Sequence, residues 1–197
     1  MNSPAAFDLF TIGHSNHPIE RFIALLQGAG VTAIADVRSV PFSRRHPWFS
    51  GPRLAERLAA EGIAYVTLGE ELGGRPDDPA LMRDGIADYA AIAATPRFHA
   101  GLERVAEGAA RYRVCLLCAE REPLDCHRCL LDARALAARG LAIGHILADG
   151  AIEPHGETEA RLLALTKTGE DLFADRVARL DAAYRHRAEK VAYRVNA

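Results

Sequence analysis

Five short apolar runs punctuate the chain, at Leu9–Gly13, Ala33–Val37, Ala64–Leu68, Arg113–Cys118 and Ile143–Ala148. Most are continuous rather than alternating, the pattern of parallel strands buried on both faces. Segments of helical periodicity lie between them, at about Pro18–Gln27, Gly51–Glu61 and Asp84–Glu107. Pro96 behind Thr95 reads as an N1 proline after an N-cap, so the last of these divides there. A further helix is predicted from Asp125, read as its cap, to Arg139, ending before Gly140 as a C′ glycine. Strand and helix in alternation predict an α/β fold, a three-layer αβα arrangement around a mostly parallel five-stranded sheet.

After Asp149 and Gly150 the character changes, and Glu157–Ala164 and Glu170–Tyr193 read as helices. In the second, Leu172, Phe173, Val177, Leu180, Tyr184 and Val191 recur at roughly helical spacing. Residues 1–155 are therefore expected to form the α/β domain and 156–197 a helical C-terminal extension packed on it. The other use of that apolar face is a homodimer through the last helix. A length of 197 residues suits one domain with an appendage better than two domains. The net charge of −2 argues against a surface given over wholly to nucleic acid or membrane. The N-terminus has no basic region leading into an apolar core, and no run reaches the ~18 apolar residues of a membrane span. A cytoplasmic protein without a membrane partner is expected. In that compartment four cysteines serve metal binding, catalysis or core packing rather than disulfides.

Each unusual polar segment follows a predicted strand. Gly13, His14, Ser15, Asn16 and His17 follow the first; Asp36, Arg38, Ser43, Arg44 and Arg45 follow the second. Glu70, Glu71, Gly73, Gly74 and Arg75 follow the third, and Cys118, Glu120, Cys126, His127 and Arg128 follow the fourth. In open parallel sheets ligands bind beyond the carboxyl ends of the strands, so these loops are expected to converge on one site. A thiol near a helix N-terminus, beside His127 and Arg128, should ionise more readily than a free cysteine. Cys118 or Cys126 is then a candidate nucleophile, with His127 or His14 as base and Glu120 as acid or base. Arg38, Arg44, Arg75 and Arg128, with Ser15 and Asp36 beside them, are the candidates for holding a small anionic substrate.

The segments Thr11 to Ser15, Asp36 to Arg38 with Pro41, Ser43 and Arg44, Leu72 to Arg75, and Cys118 to Glu120 with Pro123 and Cys126 to Arg128 carry a resemblance. Over roughly residues 8 to 155 the chain resembles the bacterial and archaeal family grouped as domain of unknown function 488. The resemblance implies no particular activity. Cys115 and Cys129 lie outside the family pattern. By shape alone, the strand ends and cysteine loop also resemble rhodanese-type sulfurtransferases, whose usual cysteine loop is not reproduced here. Position 124, where a Cys-x5-Arg phosphate loop would carry arginine, is Leu124.

Other readings of the same residues stay open. No cofactor is predicted; zinc on Cys118, Cys126 and His127, with His14 as a further ligand, is the metal alternative. Cys115-x2-Cys118 with Cys126-x2-Cys129 has a zinc-like form, but residues three apart on a strand point to opposite faces. Cys126-x2-Cys129 at a helix start is also a dithiol redox arrangement. Residues 38–57 carry five arginines and Phe42, His46, Trp48 and Phe49, the composition of a nucleic-acid-associated surface. A zinc- or anion-binding sensor domain without catalysis is the remaining class. Asp36 would orient a histidine or bind Arg128, Glu120 would pair with Arg121 or Arg38 if not catalytic, and His145 reads as a core histidine.

Overall fold

The computed structural model describes residues 7–167 and 175–195. The strands are β1 (Leu9–Gly13), β2 (Ala33–Asp36), β3 (Ala64–Thr67), β4 (Met82–Arg83), β5 (Ile86–Ala87), β6 (Val114–Cys118), β7 (Ile143–Ile146) and β8 (Ile152–Pro154). Six of them form one sheet in the order β3-β2-β6-β1-β7-β8, parallel except for β8, which runs antiparallel to β7. The expected parallel sheet is thus present with one more strand than the sequence suggested. β8 is short and half-buried, and it follows a tight turn in which Asp149 Oδ1 accepts from Ala151 N at 2.9 Å. Three residues ending in proline leave no periodicity to read.

The helices are α1 (Ile19–Gly28), α2 (Gly51–Ala60), α3 (Gly69–Leu72), α4 (Tyr89–Ala93), α5 (Pro96–Ala109), α6 (Arg134–Ala138), α7 (His155–Thr166) and α8 (Arg176–Val191). Strand alternation divides the core between the two faces of the sheet. Leu116 and Cys118 of β6 pack with Phe98, Leu102 and Val105 of α5. Cys115 and Leu117 pack on the other face with Phe22 and Leu26 of α1 and Leu54 and Leu58 of α2. The break expected at Pro96 is real: Thr95 Oγ1 accepts from Phe98 N at 3.1 Å. The helix does not begin at Asp84, however. Asp84 and Gly85 both have positive φ, 51° and 73°, and form the turn of the β4–β5 hairpin, the conformation an Asp-Gly pair favours.

The segment after β6 also departs from the expected single helix. Pro123–Asp125 forms a 3₁₀ turn, Cys126 is extended, Arg128–Ala133 is a π-helix, and α6 follows. Asp125 does not cap it, because the extended Cys126 separates the two; its carboxylate pairs instead with Arg187 of α8. All six residues of the π segment are buried, since it lies between the sheet and the C-terminal helices. Leu162, Leu163, Ala183 and Tyr184 of α7 and α8 close over Leu124, Cys129 and Leu130 in a third cluster. Val177 is 68% exposed, and Leu172 and Phe173 lie outside the described residues. The chain after α8 returns to the hairpin, where Ala87 N donates to Tyr193 O at 2.9 Å. Among the described residues no helix is long and apolar enough to cross a membrane.

Candidate functional site

β1, β6 and β2 end side by side, with Gly13 opposite Cys118 and Asp36 opposite Leu117. Beyond these ends lies a cavity of about 320 Å³. Its floor and walls include His14, Arg38, Cys118, Glu120, Cys126 and His127, and Arg75, Phe42, Tyr89 and Tyr193 surround them. Close backbone approach makes this convergence achievable. A Cβ on Gly13 would stand 1.7 Å from Glu120 O, so only glycine lets the loop after β6 fold across the end of β1. The loop is then fixed by His14 N and Ser15 N, which donate to Cys118 O and Ala119 O, each at 2.9 Å. Gly74 does the same on the opposite wall, where a Cβ would lie 2.7 Å from His127 Cγ.

The two thiols share one carboxylate. Glu120 Oε2 lies 3.0 Å from Cys118 Sγ and 3.0 Å from Cys126 Sγ, an acceptor for whichever thiol carries a proton. His127 Nε2 donates to Val37 O at 2.9 Å, so Nδ1 faces the sulfurs, 3.7 Å from Cys118 and 4.0 Å from Cys126. Burial opposes ionisation of Cys126, but the Cys118 thiol, Arg128 and His127 outweigh it and bring Cys126 down to about 6. Cys118 goes the other way, pushed up by burial and by its neighbour Cys126. Burial likewise disfavours imidazolium at His127, yet Cys126, Asp132 and the bond to Val37 raise it to about 9. Glu120, despite its burial, is held at about 2 by the two thiol donors. The group therefore favours one thiolate beside one imidazolium. It does not form the salt bridge from Glu120 to Arg121 or Arg38.

The positive charge of the site stands in two layers. Arg38 lines the cavity and is held from behind by Asp36: Oδ1 accepts from Arg38 Nε at 2.8 Å and Oδ2 from NH2 at 2.5 Å. Tyr65 also donates to Asp36 Oδ2, at 2.6 Å. Asp36 thus orients an arginine, not a histidine and not Arg128, and it is fully buried rather than at the cavity surface. His14 Nδ1 donates to Ser15 O at 2.9 Å and its Nε2 accepts from Arg38 NH1 at 3.2 Å. Its ring stacks on Phe49 at 4.3 Å. Burial, with Arg38 nearby, lowers His14 to about 4. Its lone pair faces Arg38, and the low value favours the neutral ring, so His14 props the Arg38 guanidinium.

Arg128 forms the deeper layer. It is fully buried and lines no part of the cavity; NH1 donates to Glu120 O at 2.7 Å and NH2 to Arg121 O at 3.2 Å. It braces the loop and lends charge to the thiols instead of holding a ligand. Arg75 stands at the rim, its backbone N donating to Ser39 Oγ at 3.1 Å and its guanidinium 5.2 Å from the Tyr193 ring. Ser15 and Arg44 are not brought to the cavity. Ser15 is engaged with Asn16 and Arg121, because its positive φ of 48° turns the chain outward, and Arg44 is exposed on the following loop. Asp132 was not singled out by the sequence, yet it is fully buried with Oδ2 4.0 Å from His127 Nε2. Burial pushes it up to about 8. Its one sequence signal is an acid inside the apolar stretch Cys129 to Ala133.

The four cysteines do not gather. Cys115 is on the opposite face of the sheet from Cys118, so the four-cysteine zinc arrangement does not form. Cys129 belongs with His145 and His155, apart from the ligand group Cys118, Cys126 and His127, so Cys126 and Cys129 are not a dithiol pair. Residues 38–57 are dispersed as well. Arg38 is committed to Asp36, Arg57 to Glu61 and Phe49 to the core, leaving Arg44, Arg45, Arg53, Phe42 and Trp48 exposed.

No curated protein and no solved structure matches the chain. The matched family spans residues 18–135, within the 8 to 155 of the sequence resemblance and without the Thr11 to Ser15 segment. That span includes both thiols, Glu120, His127, Arg38 and Arg75, and it covers more than half of the chain: the protein belongs to the family described as Domain of unknown function DUF488.

Proposed function

We propose that the protein is a thiol-dependent enzyme whose nucleophile is Cys126 and whose substrate is a small anion. The observation that carries this reading is the setting of Cys126, at the floor of the cavity between His127 Nδ1 and the Cys118 thiol, with buried Arg128 behind it. His127 accepts the thiol proton at Nδ1, because its Nε2–H is committed to Val37 O. Arg38 and Arg75 hold the anionic part of the substrate in the wall above. The thiolate attacks the electrophilic atom, the new bond to sulfur forms, and the leaving group departs with the electron pair of its bond. His127 can return its proton to that group.

Two probes test the reading through intact and peptide mass. With acetyl phosphate the thiolate would attack the carbonyl carbon and release phosphate; with thiosulfate it would take the outer sulfur and release sulfite. The expected result is an acetyl or persulfide mass gain on Cys126 with at least one probe, absent in Cys126→Ser. Modification only at other cysteines, or none by either probe, would contradict it.

A second reading has its own support. The ligand atoms of Cys118, Cys126 and His127 lie within 4.8 Å of one another, and Glu120 Oε2 is 3.0 Å from both sulfurs. Such a set suits Zn²⁺. Under this reading Cys126 would resist alkylation until a chelator is added, whereas under the first a chelator would change nothing.

A further inference from the structure

A second group of soft ligands lies in the core, away from the cavity. Cys129 of the π segment, His145 of β7 and His155 at the start of α7 are buried, 0%, 0% and 7% exposed, and their ligand atoms lie within 4.8 Å of one another. His145 Nε2 stands 3.0 Å from His155 Nδ1 and 3.9 Å from Cys129 Sγ. None of the three lines the cavity.

The outer nitrogens are already engaged. Tyr184 OH donates to Glu159 Oε1 at 3.2 Å, so its oxygen is free to accept the His155 Nε2–H, 3.1 Å away. That tautomer turns the Nδ1 lone pair of His155 inward. On the other side His145 Nδ1 lies 2.8 Å from Thr11 Oγ1, which can take its proton and leave Nε2 facing His155 and Cys129. Metal-ligating histidines are held in this way, with the distal N–H on a hydroxyl or carboxylate that sets ring orientation and tautomer. The chain Thr11–His145–His155–Tyr184–Glu159 ends in a fully buried threonine, so it connects nothing as a proton path.

We propose that Cys129, His145 and His155 form a metal site for a d¹⁰ ion, Cu⁺ or Zn²⁺. Thiolate and imidazole are the donors such ions select. Cu⁺ is the closer match, because no fourth donor joins the three among the described residues and one thiolate with one monovalent cation is neutral, the least costly charge to bury. The three ligands come from the π segment, the sheet and α7, so a bound ion would tie the C-terminal helices to the sheet. Its role would be structural, with the ion closed off from the cavity. This site is independent of the chemistry proposed for Cys126.

The test is X-ray absorption on the full chain, loaded anaerobically with Cu⁺ and, separately, Zn²⁺, then desalted. The Cys118→Ser/Cys126→Ser variant removes the competing thiols. It is expected to retain one equivalent of at least one ion in a shell of one sulfur and two imidazole nitrogens, and adding Cys129→Ser should release it. Retention of neither ion, a shell without the imidazole pair, or full retention after Cys129→Ser would overturn the proposal. If circular dichroism finds the double variant unfolded, the unsubstituted protein is compared with Cys129→Ser alone. Loss of one equivalent together with two imidazole ligands supports the site, and unchanged stoichiometry or shell overturns it.

Discussion

The imidazole of His127 donates from Nε2 to Val37 O, and that one bond decides which nitrogen meets the sulfurs. Arg38 is fixed in the same manner from behind, by Asp36 with Tyr65 as a second donor to the carboxylate. Replacing Asp36 with Asn would leave the Arg38 charge buried and unpaired. The expected loss is about 3 to 5 kcal/mol of folding stability, read by urea denaturation. A loss under about 1 kcal/mol would mean that solvent already screens Arg38. At this scale the sequence showed which residue types meet at the strand ends, and Cys118, Cys126, His127, Glu120, Arg38 and Arg75 do converge. It did not show their pairings. Asp36 is two residues from Arg38, a spacing that on an ideal strand puts both side chains on one face, yet nothing in it chose Arg38 over Arg128. Asp132 was illegible because it lies in a π-helical turn that periodicity does not announce, and that turn carries it back toward His127, five residues earlier.

Elements were more legible than contacts. The candidate strands in the apolar runs form with ends shifted by no more than two residues; burial on both faces writes a continuous apolar signal in β1, β2, β6 and β7, whereas the edge strand β3 is mostly exposed. The Thr95 cap was also readable from Thr-Pro, and Thr95→Ala is expected to cost about 1 kcal/mol in a denaturant titration with α5 otherwise intact. The elements without a periodic signal are short or irregular: the Asp84–Gly85 hairpin, the three-residue β8 and the π segment. The loop bearing Gly74 supplies a further prediction. Gly74→Ala would press a methyl against the His127 ring, which a Cβ there meets at 2.7 Å, and so move Nδ1 away from the sulfurs. The variant should fold, but the midpoint for iodoacetamide labelling of Cys126 should rise toward the free-thiol value of about 8.5. An unchanged midpoint would show that His127 does not set it.

For the molecule as a whole, the neutral histidines beneath the sheet ends determine how it responds to acid. Burial lowers His14 to about 4 and drives His145 well below its ordinary value, so both favour the folded state only while unprotonated. Their contribution is complete above the unfolded histidine value of about 6.5 and is lost as pH falls through the folded values. Stability should therefore decline from about pH 6.5 toward pH 4, by on the order of 3 kcal/mol for His14 alone. Asp132, pushed up to about 8, acts in the opposite direction over the same range, so the check is the urea midpoint in the Asp132→Asn background, where a flat profile would mean that His14 is solvated in the folded state. What sets Cys126 apart from the other three thiols is the Cys118 thiol beside it together with the Arg128 and His127 charges, which outweigh its burial. Ultraviolet thiolate absorbance against pH, taken as the difference between the protein and Cys126→Ser, measures this directly. The expected result is an inflection at about 6. An inflection at or above about 8.5, the ordinary thiol value, would show that Cys126 is not activated and would contradict the account.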